Sequence, residues 1–219
     1  MAYIDVGDAN TEISSGGHVV SATGSPGSPM LVLASKSPRR AELLEQIGVA
    51  FIAISVDIDE SVRPSEPVQH YVLRLAEEKA KAGFQLSSGR PSLGSDTAVY
   101  CQGSIFGKPQ DKADAMRMLK RMSGDWHDVY TAVAIYDGQK LKSLCVRSSV
   151  RFRELHDSEC EAYWQTGEPA DKAGAYGIQG KGAVFVQELK GSYSGVMGLP
   201  LCETASLVAE FGLPVWIHL

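Results

Sequence analysis

Leu31-Val32-Leu33-Ala34 and the residues after them constrain the fold of this chain more than any other stretch. Four consecutive apolar residues, followed by Ser35, Lys36 and Ser37-Pro38, read as a short strand buried on both faces. Ser37 before Pro38 is a helix start, with serine at the N-cap and proline in the first turn. Leu43, Leu44 and Ile47 then share one helical face, and Gly48 is placed to end the helix. A buried strand running straight into a helix is the opening of an α/β fold.

The rest of the chain extends that pattern. Phe51–Ile58 is apolar enough for a second strand, ending in Asp57-Ile58-Asp59-Glu60. After Pro67, residues Val68, Tyr71, Val72, Leu75, Ala76 and Lys79 recur at helical spacing. A strand is expected over 93–100, then a turn at Gln102-Gly103 and a short strand ending at Lys108-Pro109. A helix over 112–122 is capped by Asp111 and closed by Gly124, and strands over 127–136 and 141–152 form a hairpin around Asp137-Gly138. A helix over 157–166, a glycine-rich loop over 167–182, a strand over 183–189 and a helix over 201–211 complete the chain. These elements predict one α/β domain over residues 30–219, with a mixed sheet and two lobes around a cleft.

Residues 1–29 contain no lysine or arginine and are rich in Gly, Ser and Pro, so they match neither a secretory signal nor a mitochondrial presequence. They read as a flexible leader or a cloning remnant, with Met30 as the natural start. No apolar run approaches the length of a membrane span. The net charge of −5 argues against a nucleic-acid binder, which usually presents a basic face. A small anionic ligand remains compatible, because a local cationic pocket can sit in an acidic protein. Cys101, Cys145, Cys160 and Cys202 show no CxxC pair, and the five histidines are scattered, which fits a cytoplasmic protein with reduced thiols.

Five features carry chemistry. The strand-to-helix turn at Ser35–Arg40 presents free backbone N–H groups, the positive end of a helix dipole, two hydroxyls and two guanidinium forks. That is either an anion site or a capped helix with two solvated arginines. Asp57, Asp59 and Glu60 are either a solvated turn or oxygen ligands for a hard divalent cation. Lys79 continues an apolar stripe, so its ammonium either snorkels to solvent or reaches a polar cleft. Asp96 interrupts the strand "LGSDTAV", and a carboxylate there asks for a cation, a metal or a catalytic task; Lys108 is a candidate neighbour. In "DKAGAYGIQGKGA", four glycines allow close approach of backbone to a ligand, Gln179 could read a base edge, and Tyr176 could pack against one.

Taken in order, "LASKSPRRAELL", "YVLRLAEEKA", "LGSDTAV", "GKP", "DKAGAYGIQGKGAVFV" and "GSYSGVMGLPL" resemble the Maf family of nucleoside triphosphate pyrophosphatases, from about Leu31 to Pro200. The resemblance implies a Maf-like, inosine-triphosphatase-like α/β fold and hydrolysis of a nucleoside triphosphate to monophosphate and pyrophosphate. It also implies a divalent cation, Mg²⁺ or Mn²⁺, held by Glu60 and Asp96, and allows a homodimer. Family roles map onto Asp96 as proton acceptor, and onto Ser35, Arg40, Glu60, Lys79 and Lys108 as site residues. Positions associated with substrate choice map onto Arg39, Thr97 and Gln179, which resemble the branch acting on dTTP and UTP. Ser95 departs from the alanine common in that branch. Two alternatives stand beside this reading: 7-methyl-GTP as substrate, or a division-related interaction protein that binds nucleotide with little turnover.

Overall fold

The computed structural model describes residues 19–22 and 30–216. Its strands are β1 (Val19–Ala22), β2 (Leu31–Ala34), β3 (Phe51–Ile54), β4 (Ser92–Cys101), β5 (Ser104–Phe106), β6 (Trp126–Tyr136), β7 (Leu141–Phe152) and β8 (Val186–Lys190). Its helices are α1 (Pro38–Gln46), α2 (Val68–Leu86), α3 (Lys112–Met122), α4 (Asp157–Gln165), α5 (Tyr193–Met197) and α6 (Leu201–Glu210). The strands form one mixed sheet in the order β1-β3-β2-β4-β6-β7-β8, with β5 paired to β4. β2 runs parallel to β3 and β4, and the other pairings are antiparallel. The α/β class and mixed sheet expected from the sequence are therefore present.

Every residue of β2 and β3 is buried, which explains why both read as unbroken apolar runs rather than alternating ones. β4 is mostly buried as well, and its two faces pack against different layers. Its Ala98 packs with Val72, Leu75, Ala76 and Ala80 of α2, while Leu93 lies among Leu33, Leu44 and Leu207 on the opposite face. A third cluster joins Val99, Met118, Leu119, Phe152 and Phe185 around α3 and α4.

Three differences from the sequence reading have physical causes. The strand expected over 51–58 stops at Ile54, because its partner β2 ends at Ala34, paired with Ile54. The strand expected from residue 183 begins at Val186, because Lys181–Phe185 coil into a 3₁₀ turn. Helix α5 was not foreseen: five residues with a glycine inside give no helical period to read. The leader reading covered residues 1–29; Val19–Ala22 of that segment pair with β3, and the remainder lies outside the described residues. Among the described residues no helix is long and apolar enough to cross a membrane.

Candidate active site

A gap in the sheet makes the site. One edge of β4 is paired with β6 throughout residues 92–100. Its other edge pairs with β2 only at Ser92 and Leu93, and with β5 only from Val99 to Cys101. Between those two partners, residues 94–98 have no strand along this edge among the described residues, and this opening holds Asp96 and Thr97. The C-terminal end of β2 and the start of α1 flank one side, and the segment after β5 brings Lys108 to the other. A cleft of about 660 Å³ occupies the opening. Ser35, Arg39, Arg40, Glu60, Lys79, Asp96, Thr97, Lys108 and Gln179, drawn from separate segments of the sequence, all line it.

Asp96 and Lys79 meet because α2 lies unusually close to β4. A Cβ on Gly94 would run into the backbone of Ala76 and Ala80, so only glycine at this position lets the helix sit directly on the strand. Lys79, 8% exposed, then donates to Asp96 Oδ1 at 2.7 Å and pairs with Glu60 Oε1 at 2.7 Å. Its place on the apolar stripe is thus explained by a buried carboxylate rather than by snorkelling. The Tyr71 hydroxyl donates to the Glu60 carbonyl at 2.9 Å, and Arg74 donates to Glu66 and the Ser61 carbonyl, lacing the segment after β3 to α2. Asp59 is used locally, accepting from the Ser61 N–H at 2.9 Å, and Asp57 lines the cleft.

Thr97 points to the other face of β4 and meets Arg40. The Arg40 guanidinium donates to the Gly198 carbonyl at 2.9 Å and to Thr97 Oγ1 at 3.2 Å, with a longer approach to Ser35 Oγ at 3.4 Å. Thr97 Oγ1 is 3.0 Å from Thr131 Oγ1, its cross-strand partner on β6, which donates to the Gly195 carbonyl at 2.7 Å. Ser95, the departure from the expected alanine, donates to the same Gly198 carbonyl at 3.0 Å. Sequence reading missed this support from Thr131 and the α5 segment, because it depends on carbonyl oxygens that every residue type supplies. The N-cap role assigned to the Ser37 side chain is also not seen; Ser35 Oγ accepts from the Ser37 N–H at 3.1 Å instead.

The two arginines are tied differently. Arg39 pairs with Asp171 at 3.0 Å, and Asp171 also accepts from Lys172 at 2.7 Å, so α1 is joined to the glycine-rich segment across the cleft. Gln179, Gly177 and Tyr176 line that side.

Charge decides what the cleft can hold. Six cationic side chains (Lys36, Arg39, Arg40, Lys79, Lys108 and Lys172) face four carboxylates (Asp57, Glu60, Asp96 and Asp171) in a chain of net charge −5. The α1 N-terminus adds its dipole, with no acidic residue in the first turn to cancel it. Burial pushes the Asp96 carboxyl above the ordinary carboxylate range, against the pull of Lys79 and Arg40. Burial would also raise Glu60, but its hydrogen bond to Lys79, helped by the charges of Lys108 and Arg40, outweighs that and lowers it. Burial lowers Arg40. Two neighbouring carboxylates are thereby driven in opposite directions, the arrangement that separates a proton acceptor from a permanently charged ligand.

Comparison with known proteins points the same way. The chain is 53% identical over 196 residues to the dTTP/UTP pyrophosphatase of Hahella chejuensis, covering 88% of this chain and 98% of that one. It is 53% identical over 188 residues to the dTTP/UTP pyrophosphatase of Pseudoalteromonas atlantica (84% and 98%) and 54% over 187 residues to that of Chromobacterium violaceum (83% and 94%). The family description Maf-like protein matches residues 30–211, from the first residue before β2 to the end of α6. The expected resemblance therefore holds over the cleft and over the sheet from β2 to β8, and the chain belongs to the Maf family.

Proposed function

We propose that this protein is a nucleoside triphosphate pyrophosphatase that converts dTTP and UTP to the monophosphate and pyrophosphate in the cytoplasm. The observation that carries the reading is the buried Asp96–Lys79 pair, with Glu60 on the same ammonium, set in a cleft of cationic excess. Three relatives above 50% identity that are dTTP/UTP pyrophosphatases support the same chemistry.

In this reading Arg40, Lys79, Lys108 and the α1 N–H groups hold the triphosphate oxygens. Asp96 Oδ accepts a proton from a water aimed at the α-phosphorus, the water oxygen bonds to phosphorus, and pyrophosphate leaves with the bridging oxygen. General-base assistance of this kind is worth about 10²–10⁴-fold. Positioning and cationic stabilisation of the spreading negative charge supply the rest. The donor set also fits a divalent cation. No group of three or more His, Cys, Asp or Glu is assembled among the described residues, but Mg²⁺ is commonly bound by one or two carboxylates plus substrate phosphates. Glu60 and Asp96 would hold Mg²⁺ or Mn²⁺ in that way, and the cation would supply neutralisation of phosphate charge. Arg39, Thr97 and Gln179 would set the base preference.

The test is a substrate panel: dTTP, UTP, 7-methyl-GTP and unmodified purine triphosphates, each with Mg²⁺ or Mn²⁺, compared by kcat/KM from pyrophosphate release. Highest values for dTTP and UTP are expected. A preference for 7-methyl-GTP would overturn the base assignment, and nucleotide binding without pyrophosphate release would overturn the reaction.

A further inference from the structure

The glycine-rich segment is organised around a side chain that does not line the cleft. Glu168, in the 3₁₀ turn Glu168–Asp171, turns its carboxylate into the middle of the loop that follows. Oε2 accepts from the Lys181 N–H at 2.9 Å, and Oε1 accepts from the Gly182 N–H at 3.2 Å. The Tyr163 hydroxyl of α4 donates to Oε1 at 2.7 Å and itself accepts from the Gly177 N–H at 3.0 Å. Lys172 closes the base of the loop by donating to the Glu168 carbonyl at 2.8 Å. Backbone groups on both sides of Gln179 are thus fastened to one carboxylate–phenol pair.

The glycines fit this clasp. A Cβ on Gly180 would lie 2.5 Å from both carboxylate oxygens of Glu168, and one on Gly182 would lie 2.7 Å from the Tyr163 hydroxyl. Close approach of loop backbone to a ligand was the expectation from glycine content; at these two positions the approach is to Glu168 and Tyr163. Gln179 lies between residues so fixed and faces the cleft, where neither Tyr163 nor Glu168 appears. Hydrogen bonds and the charge of Lys172 hold the Glu168 carboxyl below its ordinary range despite burial, which would raise it, so the acceptor stays ionised at neutral pH.

We propose that Tyr163 and Glu168 are positioning residues for base selection: they fix the backbone from which Gln179 meets the nucleotide base. The proposal rests on the nucleotide pyrophosphatase reading. Tyr163→Phe removes one acceptor and one donor from the clasp without changing ring packing against Phe185. Glu168→Gln puts an amide N–H where a backbone N–H needs an acceptor.

The experiment measures kcat and KM for dTTP and dGTP, with amide hydrogen exchange over residues 177–182 in the ligand-free protein. For Tyr163→Phe, KM for dTTP should rise at least about tenfold, since both hydrogen bonds of the hydroxyl are lost. kcat should stay within about twofold, and the dTTP:dGTP ratio of kcat/KM should narrow. The double variant Tyr163→Phe/Gln179→Ala should discriminate no worse than Gln179→Ala alone, since both act through one contact. Exchange at Gly177 should accelerate. An active wild type with an unchanged dTTP:dGTP ratio in Tyr163→Phe, or additive losses in the double variant, would overturn the proposal. If the wild type shows no pyrimidine preference, the function reading fails instead, and unchanged exchange at Gly177 would still refute the clasp. Tyr163→Phe carries the test alone should Glu168→Gln fold poorly.

Discussion

The two sides of the cleft are built by opposite means. On the reacting side, Asp96 sits in a ten-residue strand paired with β6 along its length, and Lys79 sits in a nineteen-residue helix lying directly on that strand. On the base side, residues 168–185 make three 3₁₀ turns, and side chains rather than a ladder hold them in place: Glu168, Tyr163, Lys172 and Asp171. The Asp96–Lys79 pair is carried on regular elements, where displacement would break many backbone bonds together. Gln179, alone of the three residues proposed to set base preference, is carried on a segment fixed by a handful of bonds, which single substitutions can retune at small cost to the fold.

The largest effect expected from this contrast belongs to Asp96. Asp96→Asn keeps the shape of the side chain and a partner for Lys79, but removes the proton acceptor. Turnover should fall by about 10²–10⁴-fold while the melting temperature changes little. Pyrophosphate release and thermal unfolding of the purified variant check both halves; near-normal turnover would remove Asp96 from the reaction.

A matched pair of alanine substitutions compares the two sides directly. Gly94→Ala forces α2 off β4, and overpacking of this sort costs about 1–3 kcal/mol or more of stability. Because Lys79 rides on the displaced helix, turnover should fall along with stability. Gly180→Ala drives a methyl group against the Glu168 carboxylate, which a short loop can relieve by shifting. Its melting temperature should stay near wild type, with KM rising more than kcat falls. Equal destabilisation in the two variants would dissolve the distinction between a laddered side and a clasped one.

Sequence alone revealed the first side far better than the second, and the reason is physical. A carboxylate inside an apolar strand and a lysine on an apolar helical stripe are anomalies that burial makes costly, so each announces a partner. The structure supplies those partners at 2.7 Å. The β2–α1 unit was equally legible, since four apolar residues before Ser-x-Ser-Pro admit few conformations. By contrast, Glu168 looks like one more surface acid, and its role depends on backbone N–H groups thirteen and fourteen residues away. The Gly198 and Gly195 carbonyls that accept from Arg40, Ser95 and Thr131 leave no mark in residue type at all. The gap in the sheet was likewise hidden, because it follows from where β2 and β5 stop pairing with β4.

The pH profile separates the sides further. A base acts only when deprotonated, so turnover should fall on acidification through the Asp96 pKa, which burial places above the usual carboxylate value. Lys79 opposes that upward shift. Lys79→Met should therefore move the acid limb of kcat/KM to higher pH, besides lowering the maximum. Glu168→Gln lies outside the Asp96 environment and should leave the limb in place. A limb that moves with Glu168 and not with Lys79 would reassign the titrating group.

Stability should respond to acid with opposite signs on the two sides. Beneath the base-side loop, His127 of β6 is 3% exposed, with Nε2 2.9 Å from the Tyr176 hydroxyl and no partner for Nδ1 among the described residues. Burial lowers its pKa to about 4, only partly offset by Asp128 and Asp125. The unfolded chain takes up this proton near 6.5 and the folded chain does not. His127 thus contributes stability that is present above pH 6.5 and lost as pH falls towards 4, at most about 3 kcal/mol. Asp96 runs the other way: its folded pKa is raised, so its proton uptake favours the folded state at low pH and that gain disappears as pH rises. Chemical unfolding at pH 7 and pH 4.5 should accordingly show a smaller acid-induced loss in His127→Asn than in wild type, and a larger one in Asp96→Asn. The same loss in all three proteins would mean that neither buried group governs the acid response, and that the many surface carboxylates do.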